Sequence, residues 1–145
     1  MSSIRKTLCF ILFTVLLYGC DNLEYEDVSA TAEYRYLVGK QYESSEDLLA
    51  QVVAIDKHHE QNDEKVADYA VLTRPPGISG LDTLFYEAVP SGSKIELLRV
   101  ERSEPTFLGQ YIKYVVSPID FQIPGNPTLR VHQEELNNSF IVIEN

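Results

Sequence analysis

From Tyr34 onward the chain consists of short runs rich in Val, Ile, Leu, Tyr and Phe, broken by clusters of Pro, Gly, Ser and Asn. Runs of that length and composition form strands, and turn residues at that spacing fold them back on one another. The pattern predicts a small all-β fold. We place strands near 34–39, 50–56, 66–73, 83–89, 94–101, 110–116, 128–132 and 139–143. The clearest hairpin signal joins Leu84–Val89 to Ile95–Val100 through Pro90-Ser91-Gly92-Ser93, where proline fixes φ and glycine allows positive φ. Tyr111, Lys113 and Val115 alternate with Ile112, Tyr114 and Val116, which gives that strand two distinct faces. Between Ser44 and Asp56, Leu48, Leu49, Val52 and Val53 fall at helical spacing behind an acidic start, whereas 51–55 is largely β-branched. We expect a helical turn near 45–49 leading into a strand. About a hundred residues suffice for one core and not for two. The expectation is a single β-rich domain over 34–145, an antiparallel barrel or sandwich, SH3-like or related, with at most one short helix.

The first nineteen residues follow a different pattern. Arg5 and Lys6 precede an apolar run from Thr7 to Tyr18, a basic n-region and h-region of secretory type. The run is shorter than the ~20 apolar residues a spanning helix needs. It ends in Leu17-Tyr18-Gly19-Cys20, which resembles the lipobox of bacterial lipoproteins: an aliphatic residue three before the cysteine and a small one directly before it. Tyr18 stands where that family favours a small residue. The resemblance covers residues 1–22. It implies removal of 1–19 as a signal peptide, a diacylglycerol thioether on Cys20, and acylation, as by palmitate, of the new amino terminus. Asp21 and Asn22 follow the cysteine, and an aspartate there resembles the signal that retains enterobacterial lipoproteins in the inner membrane. The localisation implied is the cell envelope, anchored by lipid and facing the periplasm, with the inner membrane favoured over the outer.

Residues 20–33 are acidic and show no repeating apolar face, which reads as a lipidated cysteine followed by a tether. Of the two cysteines, Cys9 lies in the h-region and Cys20 is the lipid acceptor, so the mature chain has no thiol pair for a disulfide. Loss of Arg5 and Lys6 with no acid takes the net charge from −10 to −12. A surface so acidic is repelled by nucleic acid and is matched to basic partners or simply to solubility.

Few residues suggest chemistry. His58, His59 and Glu60, with Asp63 and Glu64, have metal-ligand side chains, but adjacent histidines on one segment diverge, and no His-Glu-x-x-His spacing is present. We read a solvated loop tip there and expect no metal and no cofactor. His132 reads as a half-buried strand residue. Ser79 lacks the second glycine of a nucleophile elbow. Its loop, Arg74, Pro75, Pro76, Gly77, Ile78, Ser79 and Gly80, is the most distinctive in the domain. It suits a structural crossover first and a binding loop second. No basic patch or phosphate-cradling loop is visible along the chain, and no catalytic residue is assigned.

These features favour a non-catalytic β-domain, anchored at the membrane, that binds another envelope component, protein or peptidoglycan. One alternative is an inhibitor or immunity lipoprotein directed at a basic envelope enzyme, although Ser91-Gly92-Ser93-Lys94 does not continue to the tyrosine of the Ser-Gly-x-x-Tyr motif of small lysozyme-inhibitor lipoproteins. Another is a small envelope hydrolase using His58 or His132.

Overall fold

The computed structural model describes residues 24–54, 67–107 and 109–144. They form nine strands and one helix: β1 (Tyr25–Asp27), β2 (Gln41–Ser44), β3 (Leu48–Ala54), β4 (Ala67–Thr73), β5 (Thr83–Val89), β6 (Lys94–Ser103), β7 (Ile112–Pro118), β8 (Thr128–His132), α1 (Gln133–Ser139) and β9 (Phe140–Val142). The all-β class holds, with a single short helix. The strands make one curled half-barrel sheet in the order β5-β3-β4-β8-β7-β6-β2-β9, with β1 added against β6. Every pairing is antiparallel except β4 with β8.

The connections force the curl. β2 and β3 lie five places apart in the strand order, as do β5 and β6. In a flat sheet at ~4.8 Å per strand each pair would be roughly 24 Å apart. The linkers 45–47 and 90–93 can span at most about 14 Å and 18 Å. The sheet must therefore bend until its β3–β5 side returns to β2 and β6. Hydrogen bonds stitch that end. Ser44 N–H donates to the Ser93 carbonyl and Gly92 N–H to the Ser44 carbonyl (2.9 and 2.8 Å). Asp47 Oδ1 accepts from Ser91 N–H at 2.8 Å.

Inside the curl, alternate residues of each strand meet. Leu48, Ala50 and Val52 of β3, Ala70 and Leu72 of β4, Leu129 and Val131 of β8, Tyr114 and Val116 of β7, and Ile95 and Leu97 of β6 form one core. A register shift between Leu97 and Arg99 leaves Leu98 exposed and returns Val100 to the core. Burial pushes the Tyr114 hydroxyl up to about 12.

Several sequence expectations are corrected. Leu84–Val89 and Ile95–Val100 do not pair: β5 pairs with β3, and β6 with β7, β2 and β1. The 90–93 turn is a corner between two parts of the sheet, because Ser44 takes its backbone partners. The segment 34–39 is a series of turns, with Tyr34 N–H bonded to Thr31, Leu37 to Tyr34 and Lys40 to Leu37. Only Tyr34 and Leu37 face inward, at turn spacing, while Tyr36 is 61 % exposed. No helical turn forms at 45–49. Asp47, read there as part of a helix start, caps the 90–93 turn instead, and β3 begins at Leu48. The helix lies at Gln133–Ser139, where Leu136 and Ser139 are the buried side chains and Glu134 and Glu135 occupy the first turn. Of the tether expected over 20–33, the described part from residue 24 onward belongs to the fold. Tyr25–Asp27 pairs with β6, and Val28 is buried in the core.

Candidate functional site

The strands that build the core on one face place a different set on the other. On β4 these are Tyr69 and Val71, on β8 Arg130 and His132, and on the β7 side Tyr111 and Lys113. Strand pairing brings them together: Lys113 lies opposite His132, and Arg130 opposite Val115 on one side and Val71 on the other. Tyr25 of β1 closes one side, and Ile78 and Leu81 of the loop after β4 close the other. The result is an apolar cleft of about 310 Å³ with cationic groups in its floor.

Both cations stand over aromatic rings. Lys113 Nζ is 3.7 Å from the centre of the Tyr25 ring, and Arg130 Cζ is 4.8 Å from that of Tyr69. Among the described residues the ion pairs join Arg74 to Glu135, Arg99 to Glu101 and Arg102 to Glu26, and none includes Lys113 or Arg130. Arg130 Nε is buried without a hydrogen-bond partner. Burial, then the Arg130 charge, lowers the Lys113 pKa against the raising influence of Glu101. Burial, then Lys113, lowers that of His132, with Glu135 opposing. Burial raises the pKa of Tyr25 and Tyr69, partly offset by Arg130, so these rings present neutral hydroxyls.

The loop wall is fixed by one side chain. Gln51 is fully buried on the cleft side of β3. Its Nε2 donates to the Ile78 carbonyl (2.9 Å) and to Thr83 Oγ1 (2.6 Å), and its Oε1 accepts Ile78 N–H (2.8 Å). The carboxamide thus pairs with Ile78 as a neighbouring strand would. Gly77 has φ +100°, and a Cβ there would lie 2.9 Å from Tyr86 Cε1 and 3.0 Å from Gln51 Oε1, so the close approach requires glycine. The far end of the loop is held through Arg74, whose Nε is 3.0 Å from Glu135 on α1. Glu135 in turn lies 2.5 Å from the buried Ser139 hydroxyl, which is also 2.6 Å from Glu46.

Of the loop expected as a binding element, the structure brings Ile78 to the cleft. Arg74, Pro75, Pro76, Ser79 and Gly80 are exposed and do not line it. His132 lines the cleft as a half-buried residue at the end of β8. Cys20, Asp21, Asn22, His58, His59 and Glu60 lie outside the described residues. The cationic floor corrects the expectation of no basic patch, since Lys113, Arg130 and His132 become neighbours only through the β7–β8 pairing. The alternation around Lys113 was the sequence signal for half of it. A glutamine inside Leu48-Leu49-Ala50-Gln51-Val52-Val53 was the signal for the loop anchor. The chain matches no family model, no curated protein and no solved structure.

Proposed function

We propose that this protein is a lipid-anchored component of the bacterial cell envelope whose β-domain binds another envelope component in the Tyr25–Tyr69–Arg130 cleft without catalysing a reaction on it. The cleft is the observation that carries the reading. Two cations free of ion pairs among the described residues, set in an apolar, tyrosine-lined hollow on a chain of net charge −10, supply affinity and discrimination in one place. Among the described residues its lining contains no serine, cysteine or carboxylate to act as nucleophile or general base. The residue opposite His132 is Lys113, where an orienting carboxylate would stand in a catalytic pair.

The anchor gives the cleft its setting. Tyr25 is five residues from Cys20, a reach of at most ~18 Å, so a lipid on Cys20 holds this face of the domain beside the bilayer. The component bound is one that is accessible at the membrane surface on the periplasmic side. Two experiments test the two halves. Labelling with a palmitate analogue should mark the wild-type protein and not Cys20→Ser, and continued labelling of the serine variant would overturn the anchor. From detergent-solubilised envelope, the wild-type protein should retain a stoichiometric partner that Tyr111→Asp, a charge placed on the exposed cleft rim, does not. Equal retention by both would place binding elsewhere.

A further inference from the structure

Resting on the reading of the cleft as a binding site, we infer that its ligand is a monoanionic carboxylate carrying a flat or branched apolar body, held by Arg130 and Lys113 with that body between the tyrosines and Ile78. Four observations converge on this class. The body of the cleft is formed by Tyr25, Tyr69, Tyr111, Val71, Ile78 and Leu81, a volume of about 310 Å³ with room for an aromatic or branched aliphatic group. Among the described residues the charged donors of the lining are one guanidinium and one ammonium, with His132 held toward its neutral form by burial and by Lys113. The backbone groups of the floor are engaged in the β4–β8 and β7–β8 pairings, so recognition falls to side chains. A phosphate dianion calls for several convergent backbone donors, whereas a carboxylate is satisfied by the planar fork of one arginine and a second cation. Finally, both cations rest on tyrosine faces, so an entering carboxylate finds them already positioned, while Glu101, opposite Lys113 on β6, is paired with Arg99.

The same chemistry is offered by the C-terminal residue of a peptide and by a free aryl or alkyl carboxylic acid. The probes are N-acetylphenylalanine for the first, 3-phenylpropanoate for the second, N-acetylphenylalanine amide as the uncharged control, and phenyl phosphate as the dianion. Binding to the full-length protein in detergent micelles is measured by calorimetry and by tyrosine fluorescence, which no tryptophan masks and to which Tyr25, Tyr69 and Tyr111 of the cleft contribute. At least one acid should bind on the order of 10-fold more tightly than the amide, the worth of a charge-assisted pair. Whichever acid binds more tightly identifies the source. Arg130→Gln should reduce the preference for acid over amide severalfold, and Arg130→Lys should restore part of it. Lys113→Gln gives a second route to the same loss should the Arg130 variants fold poorly. Equal affinity for acid and amide, tighter binding of phenyl phosphate, or an acid preference undiminished in folded Arg130→Gln would each overturn the carboxylate. So would failure of both acids to bind. The binding reading fails separately, if Tyr111→Asp retains the envelope partner as the wild-type protein does.

Discussion

The two faces of the β4–β8–β7 sheet are made by alternate residues of the same strands, and they are built to different standards. On the inner face Ala70, Leu72, Leu129, Val131, Tyr114 and Val116 are all buried and packed into one cluster. Each large member contributes about 1.5–3 kcal/mol by leaving water. On the outer face Tyr69, Val71, Arg130, His132, Tyr111 and Lys113 line a hollow, with two cations held over rings and an arginine nitrogen left without a partner. A desolvated lysine and an unpartnered buried N–H do not stabilise a fold. Their presence beside a packed inner face is the contrast on which the proposal of binding at the outer one rests.

The comparison breaks most readily on the inner face. Leu97→Ala, at a fully buried position, should cost about 2–5 kcal/mol and lower the thermal midpoint by many degrees. A loss below 1 kcal/mol would mean that the core is loosely packed. Next is the element joining the two faces. Gln51→Ala leaves Ile78 N–H and its carbonyl without their side-chain partner and should cost about 1–3 kcal/mol. It should also weaken binding in the cleft, because Ile78 is no longer held against the floor. Denaturant melts of both variants, with ligand titration of the second, provide the check.

On the outer face the sign of the trade should differ. Lys113→Met removes a desolvated charge from an apolar cleft, so stability should stay within about 0.5 kcal/mol of wild type or rise. Affinity for the carboxylate should fall by roughly fivefold. The smallest effect expected is that of His132. Burial and Lys113 hold its folded pKa below the ordinary 6.5, against Glu135. Between those two values the unfolded chain binds more protons. Stability should therefore decline as pH falls from above 6.5 and level off below the folded value. His132→Gln should remove that component of the pH profile, and an unchanged profile would contradict the burial of the imidazole.

The strands were largely legible in the sequence because each carries its own β-branched and aromatic composition. Those at 83–89 and 128–132 are found at the expected bounds. Their pairing was not legible. Pro90-Ser91-Gly92-Ser93 has the residues of a hairpin turn, and only the competition of Ser44 for its backbone shows that it is a corner. The short β1 and β2 were missed for a related reason. Tyr25-Glu26-Asp27 is acidic enough to read as a tether, and its order derives from β6 and from Val28 entering the core. Of the site, Lys113 and the two-faced strand around it could be seen, while its proximity to Arg130 and His132 depends on the antiparallel β7–β8 pairing, and that of Tyr69 and Val71 on the parallel β4–β8 pairing, neither of which any local pattern encodes. The proline-glycine loop drew notice for its composition. Its role comes instead from Gln51, a single polar side chain in an apolar strand.

On the binding reading, contact with the envelope is made by the cleft face and not by the rest of the surface. Photo-crosslinking in intact cells tests it directly, with a benzoylphenylalanine placed in turn at Tyr111, on the cleft rim and 40 % exposed, and at Leu98, outside the cleft lining and 48 % exposed. A discrete adduct is expected from position 111, suppressed by Arg130→Gln, and none from position 98. An adduct from position 98 with none from 111 would contradict it.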